Sequence, residues 1–93
     1  MPYSLRFKQA ALEEWHKLDG TLKVQLKKKL AERLENPRVP AAKMYGHRDR
    51  FKIKLRQAGY RLVYEVRDTE LVVMVVAIGK RERNAVYKAA ARR

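Results

Sequence analysis

The sequence predicts a small α+β domain in which helices pack on a mainly antiparallel four-stranded sheet. Two observations support this prediction. Apolar and charged residues alternate in several stretches, as they do in half-buried strands, and leucines recur every fourth residue in another stretch, as they do on one face of a helix. These patterns give the element order β-α-α-β-β-β-α. The length of 93 residues fits one domain spanning residues 1–93.

The first part of the chain is predicted to form a strand followed by a helical hairpin. Residues 3–7 alternate between apolar and polar side chains, which predicts a short strand. A helix is expected over residues 9–18. The next helix is expected to be capped by Thr21 and to reach about Glu35, because the Asn-Pro pair ending at Pro37 cannot continue it.

Two further strands, over residues 51–56 and 60–67, are predicted to form a hairpin. With Ala58-Gly59 as a two-residue turn, Leu55 faces Leu62. In this register every apolar side chain of the pair falls on one face and most basic side chains fall on the other, whereas a slip by one residue would mix the faces. The hairpin is therefore expected to have one apolar side and one strongly cationic side.

The last part of the chain is predicted to form a central strand and a short helix. Residues 71–78 are an apolar run rich in β-branched side chains, which is typical of a strand covered on both faces. Gly79 follows this strand. Residues 82–91 are expected to form a helix that turns Val86 and Ala90 inward.

The composition indicates a polyanion or an acidic protein as the partner. The chain has 23 Lys and Arg against 10 Asp and Glu, a formal charge of +13, and an ordinary hydrophobic content of 46%. The absence of cysteine excludes disulfides, thiolate metal sites and a cysteine nucleophile. Two histidines match no metal motif, so no metal or cofactor is expected. No leader or membrane-spanning stretch is evident, and the cytoplasm is the expected location.

The basic residues are concentrated rather than mixed with acidic ones. Residues 50–67 contain six basic residues and one acidic residue, Glu65. Like charges on paired strands cost up to about 1 kcal/mol, so this concentration favours polyanion binding. A second basic cluster occupies residues 80–83, and Tyr87 follows it by one helical turn. The lysine run 27–29 lies between helix-face leucines, and we interpret it as a solvated face.

Such a surface is chemically compatible with metal-free cleavage of RNA, because RNA carries its own nucleophile, the 2′-hydroxyl. Guanidinium and ammonium groups can stabilise the added charge of a pentavalent phosphorane. A lysine crowded by like charges has a lowered pKa and can act as a base near neutral pH. An aromatic ring can hold a base by stacking. An RNA-binding or ribosome-associated module without catalytic activity would use the same phosphate contacts.

Several motifs resemble the RelE toxins of bacterial toxin–antitoxin pairs, and the resemblance covers nearly the whole chain. The similar stretches are residues 11–18, 25–30, 51–56, 59–64 and 79–83, together with Tyr87. The resemblance implies a RelE-like fold and a ribosome-dependent endoribonuclease. Such an enzyme cuts messenger RNA in the A site of the ribosome (30S subunit), leaves a 2′,3′-cyclic phosphate and inhibits translation.

Five residues match the family's active-site set by position. The resemblance implies that Lys54 helps to take the 2′-hydroxyl proton and that Arg81 protonates the leaving 5′-oxygen. Arg61 and Lys52 would stabilise the phosphorane, and Tyr87 would stack on a codon base. Further basic residues are expected to contact RNA or the ribosome: Lys43, Arg48, Arg50, Arg56, Lys80 and Arg83.

The resemblance also implies partners. A RelB-like antitoxin would wrap the basic domain and displace the C-terminal helix from the site. The pair would then repress its own promoter, so that operator DNA is reached through the antitoxin complex. A same-fold alternative is a ParE-like toxin that acts on DNA gyrase, but the joint presence of Lys54, Arg81 and Tyr87 favours the nuclease.

The chain departs from the family pattern at two positions. Tyr45 precedes a loop glycine where close relatives carry arginine, which removes one contact to phosphate or ribosomal RNA. Arg50 replaces a residue that is commonly uncharged in the family.

Overall fold

The computed structural model describes residues 2–93, apart from the side chain of Arg83. In chain order, the elements are β1 (Ser4–Phe7), α1 (Gln9–His16), α2 (Gly20–Glu35), β2 (Arg50–Leu55), β3 (Tyr60–Arg67), β4 (Val72–Lys80) and α3 (Ala85–Ala91). Short 3-10 turns lie at Pro40–Ala42 and Glu82–Asn84. The predicted α+β class and the order β-α-α-β-β-β-α are confirmed.

The four strands form a mixed sheet in the order β1-β4-β3-β2. β1 runs parallel to β4, whereas the β4–β3 and β3–β2 pairs are antiparallel. α1 and α3 both pack against β4, from opposite faces of the sheet. Because helices cover both of its faces, β4 is an almost continuous apolar run, as predicted.

The core has two layers, one on each face of the sheet. On the first face, Leu26 and Leu30 of α2 pack with the apolar residues of the strands and are almost fully buried. On the second face, Val86 of α3 packs in a smaller cluster with Val76 and Ala77. Val76 is an extra residue in the β3–β4 ladder, so this bulge turns two consecutive side chains of β4 toward α3.

The β2–β3 hairpin has the predicted faces, but the predicted register is wrong. Leu55 pairs with Tyr60 rather than with Leu62. The turn contains four residues, 56–59, because the Gly59 N–H donates back to the Leu55 carbonyl at 2.9 Å with Gly59 at φ +71°. Since the side chains of a strand alternate with a period of two, a shift of two residues leaves each of them on its predicted face.

The helices differ from the prediction mainly at their ends. α1 ends at His16, two residues before the predicted end. The cap of α2 is Asp19 rather than Thr21, because the Asp19 carboxylate accepts the Leu22 N–H at 2.9 Å. Nowhere in residues 2–93 does a helix combine the length and the apolar character that crossing a membrane requires.

Candidate active site

Three of the five predicted catalytic residues lie side by side on the basic face of the hairpin. Lys52 and Lys54 are half-buried on β2 and alternate with fully buried apolar residues. Lys54 pairs directly with Arg61 of β3, and Arg61 in turn pairs with Gly79 of β4. The three positions 54, 61 and 79 therefore form one row across three adjacent strands.

Arg61 is buried, with only 7% of its surface exposed. Its Nη1 donates to the carbonyl of Tyr60 at 3.1 Å, and among the described residues this is its one side-chain hydrogen bond. Most of its five N–H donors therefore make no hydrogen bond to the described part of the protein. A fixed guanidinium that is shielded from water stabilises a developing negative charge more strongly than an exposed one.

The electrostatic environment lowers the pKa of Lys54 below its ordinary value of 10.5. The positive charge of Lys52 is the largest cause, and desolvation and the charges of Arg56 and Arg61 act in the same direction. Each of these effects disfavours the charged ammonium. A neutral amine is therefore more populated at Lys54 than at an isolated lysine, which suits it to accept a proton.

Arg81 and Tyr87 come from the segment that follows β4. The backbone N–H of Arg81 donates to the Gly59 carbonyl at 2.9 Å, which holds the end of β4 beside the β2–β3 turn. The Arg81 side chain is exposed two residues beyond Gly79, the partner of Arg61. Tyr87 is half-buried against the second core cluster, which contains Val63, the partner of Lys52. The fold thus places Lys52, Lys54, Arg61 and Tyr87 on one side of the sheet, and Arg81 at the end of β4 beside the β2–β3 turn.

Four of the six further basic residues are exposed around this site. Arg56 lies in the β2–β3 turn and Lys80 ends β4, while Lys43 and Arg48 lie in the loop that precedes β2. The side chain of Arg83 lies outside the described part of the structure. Their expected contacts to RNA or the ribosome remain predictions.

Arg50 is different, because its guanidinium is engaged within the fold. Its Nε donates to Glu65 at 3.2 Å and its Nη1 donates to the Ala90 carbonyl at 2.6 Å. Arg67 donates to the same Glu65 carboxylate at 2.9 Å. Arg50 therefore connects β2 to β3 and to the end of α3, a structural role that the sequence interpretation missed.

A groove of about 940 Å³ on the α2 side of the sheet reaches Lys54 at the edge of the hairpin and was not predicted. It lies between the first half of α2 and the β2–β3 turn, and its lining includes Lys28, Lys29, Lys54, Arg56 and Lys80. The two α2 lysines are exposed, as a solvated helix face requires. The spacing of residues along the sequence could not predict that these lysines lie near the hairpin turn, because this depends on how α2 packs on the sheet.

The arrangement supplies cations, a lysine with a lowered pKa and an aromatic ring, which are suited to a phosphodiester in RNA. Within residues 2–93, no three His, Cys, Asp or Glu side chains come close enough together to hold a metal ion.

Comparisons with known proteins identify the family. The model of the ParE toxin of type II toxin-antitoxin systems (parDE) matches residues 5–85. The mRNA interferase toxin RelE of Escherichia coli (strain K12) is 55% identical over 93 residues, which are 100% of this chain and 98% of that protein. A doubly substituted variant of E. coli RelE in the free state superposes with a TM-score of 0.91 at 52% identity, over 99% of this chain and 97% of that one.

A chain of the intact E. coli RelBE toxin–antitoxin complex superposes with a TM-score of 0.84 at 56% identity, over 87% of this chain and 99% of that one. Both the family model and these relatives extend across the strands and turns that build the basic face. The chain therefore belongs to the RelE toxins, within the ParE toxin family of type II toxin–antitoxin systems.

Proposed function

We propose that this toxin is a ribosome-dependent endoribonuclease that cleaves messenger RNA in the ribosomal A site and so inhibits translation. The observation that carries the proposal is the pairing of Lys54, whose pKa is lowered, with the buried Arg61. A proton acceptor and a guanidinium at paired positions of neighbouring strands are what a metal-free attack by the 2′-hydroxyl needs. The relative named mRNA interferase toxin RelE supports the same reading.

In this mechanism the neutral amine of Lys54 accepts the 2′-hydroxyl proton as the 2′-oxygen attacks the adjacent phosphorus. Lys52 and Arg61 stabilise the extra negative charge of the phosphorane. The bond from phosphorus to the 5′-oxygen then breaks, and Arg81 protonates that oxygen. The products are a 2′,3′-cyclic phosphate and a free 5′-hydroxyl. Tyr87 stacks on a codon base and orients the strand.

The partners follow from this activity. The ribosome presents the message in line with the basic face, and action in the cytoplasm is expected because the message is translated there. A RelB-like antitoxin neutralises the toxin, and operator DNA is reached through that complex. The structure of the E. coli RelBE toxin–antitoxin complex supports the antitoxin as partner. Residues 1–93 act as one domain in these interactions.

Primer extension on a defined message in a reconstituted translation system tests the proposal. Wild-type protein is compared with Arg81→Ala and with Arg92→Ala, a charge-matched control at the end of α3. We expect cuts within A-site codons, only with ribosomes, for the wild type and the control. Arg81→Ala should still bind ribosomes but should not cut.

Three outcomes would contradict the proposal. A wild-type protein that binds ribosomes without cutting would be a binding module. A wild-type protein that neither cuts nor binds ribosomes would favour the alternative of a ParE-like toxin that acts on DNA gyrase. Efficient cleavage of free RNA would remove the dependence on the ribosome.

A further inference from the structure

We propose that the groove between α2 and the β2–β3 turn holds the single-stranded message next to the scissile phosphate. In this proposal Lys28 and Lys29 contact phosphates of that strand. The proposal rests on the nuclease function above and extends its substrate contacts beyond the basic face of the hairpin.

The charged residues that line the groove are almost all positive. Five cationic side chains line it, and one of the described lining residues, Asp19, is acidic. The Asp19 carboxylate already accepts the N–H of Leu22 as the cap of α2. In the described part of the chain, the ion pairs involve none of the five lining cations. Cations that converge without acidic partners raise the local concentration of a polyanion.

The shape and lining of the groove suit a single strand of nucleic acid. Leu22 and Leu55 contribute apolar surface, and the half-exposed ring of Tyr60 lies among the cations. Sites for single-stranded nucleic acid combine a positively charged groove that follows the backbone with aromatic rings on which bases stack. The groove, of about 940 Å³, is an extended surface feature, because its lining comes from α2, from the adjoining ends of β2, β3 and β4, and from the β2–β3 turn.

The groove is continuous with the candidate catalytic residues, and this decides which RNA it would hold. Lys54 lines the groove and also pairs with Arg61. β2 is the outer strand of the sheet, so no further strand separates the two regions. A message whose scissile phosphate lies at Lys54 and Arg61 can therefore pass around the edge formed by β2 toward Lys28 and Lys29 on the α2 side of the sheet.

Crosslinking from a single introduced thiol tests this placement. The chain has no cysteine, so Lys29→Cys carries the only thiol available for a photoreactive label. Lys27→Cys is the matched control, because Lys27 is exposed on the same helix but does not line the groove. Each labelled protein is bound to ribosomes whose A-site codon carries 2′-deoxy nucleotides, which block the attack.

We expect Lys29→Cys to crosslink the message within a few nucleotides of the wild-type cut, and we expect Lys27→Cys not to. Crosslinks to ribosomal RNA alone, equal crosslinks from both positions, or no message crosslink from Lys29→Cys would each overturn the proposal. Cleavage by the wild type on an unmodified message is measured in parallel, so a failure of the nuclease function is seen separately.

A salt titration provides an independent measurement. Each phosphate contact to single-stranded nucleic acid contributes about −0.7 to the slope of log affinity against log salt. Lys28→Ala/Lys29→Ala should therefore make the slope for a 2′-deoxy-substituted oligoribonucleotide less negative by about 1.4. The charge-matched pair Lys17→Ala/Lys27→Ala should leave the slope near that of the wild type. Equal slopes for the two double variants would contradict the groove contact.

Discussion

At the residue scale, the proposed chemistry depends on the protonation state of Lys54. Because the charge of Lys52 is the largest cause that lowers the pKa of Lys54, removing that charge should raise this pKa. We expect Lys52→Gln to move the rising limb of the pH–rate profile for cleavage, which reports the loss of the Lys54 proton, to higher pH. The measurement is the cleavage rate in the reconstituted system over a range of pH.

Lys52 also has a proposed role at the phosphorane, so its loss should lower the rate at every pH. The position of the limb separates the two effects. Lys43→Gln removes a charge at an exposed position outside the hairpin and should leave the limb in place. A limb that does not move in Lys52→Gln would exclude Lys54 as the titrating base.

Tyr87 is the second residue whose role can be isolated. Base–aromatic stacking is worth about 1–3 kcal/mol, so Tyr87→Ala should slow cleavage by roughly 5- to 150-fold. Tyr87→Phe keeps the ring and should retain most of the activity. Because Tyr87 also packs on the second core cluster, the unfolding free energy of each variant must be measured beside its cleavage rate. An unchanged rate in Tyr87→Ala would remove this residue from the site.

The placement of Lys52 and Lys54 was predictable from the sequence, but the burial of Arg61 was not. Alternation along β2 was sufficient to place Lys52 and Lys54 together, because a strand has a period of two. The same pattern placed Arg61 on an open cationic surface, whereas only 7% of its surface is exposed. Burial depends on what packs above the strand, and no local pattern contains that information.

At the element scale, the start of α2 gives a prediction about stability. Asp19 accepts the N–H of Leu22, so Asp19→Ala should lower the unfolding free energy by about 1 kcal/mol. Thr21 is exposed inside the helix and makes no such cap. Thr21→Ala should therefore be close to neutral in urea denaturation. The reverse order of the two effects would show that the helix begins elsewhere.

The register of the β2–β3 hairpin could not be predicted from the strand pattern alone. Two registers that differ by two residues put the same side chains on the same faces, so alternation cannot distinguish them. The choice is made by the turn, in which the Gly59 N–H reaches back four residues to the Leu55 carbonyl. The predicted faces were therefore right while the predicted pairs were wrong. The proximity of α2 to this turn could not be predicted from the sequence pattern either, because the two elements are distant in sequence.

At the scale of the whole molecule, acid should destabilise the fold through two carboxylates. Burial alone would raise the pKa of Glu65, but hydrogen bonds from Arg67 and Arg50 outweigh it, so the pKa lies below its ordinary value of 4.5. Hydrogen bonds from Tyr3 and Arg38 hold the pKa of Asp68 below its ordinary value of 3.8. Each group stabilises the fold above its unfolded pKa, and this contribution is lost as pH falls through the folded value.

Urea denaturation as a function of pH checks this expectation. The unfolding free energy of the wild type should fall as pH drops below about 4.5, whereas Glu65→Gln should be less stable at neutral pH and should lose less on acidification. Glu35→Gln, at the exposed end of α2, is the charge-matched control and should follow the wild type. If Glu65→Gln also followed the wild type, the network with Arg50 and Arg67 would contribute nothing to stability.

The order in which the strands occur along the chain has a consequence for synthesis. β1 pairs with β4, whose residues are made some 70 positions later, and Arg81 and Tyr87 follow β4. Chains emerge from the ribosome N-terminus first, and contacts between distant segments form last. While the ribosome is still translating the hairpin, the nascent chain lacks both the completed sheet and two of the five proposed catalytic residues. Under the proposed function, the toxin would therefore be inert toward the ribosome that produces it until most of its own message has been read.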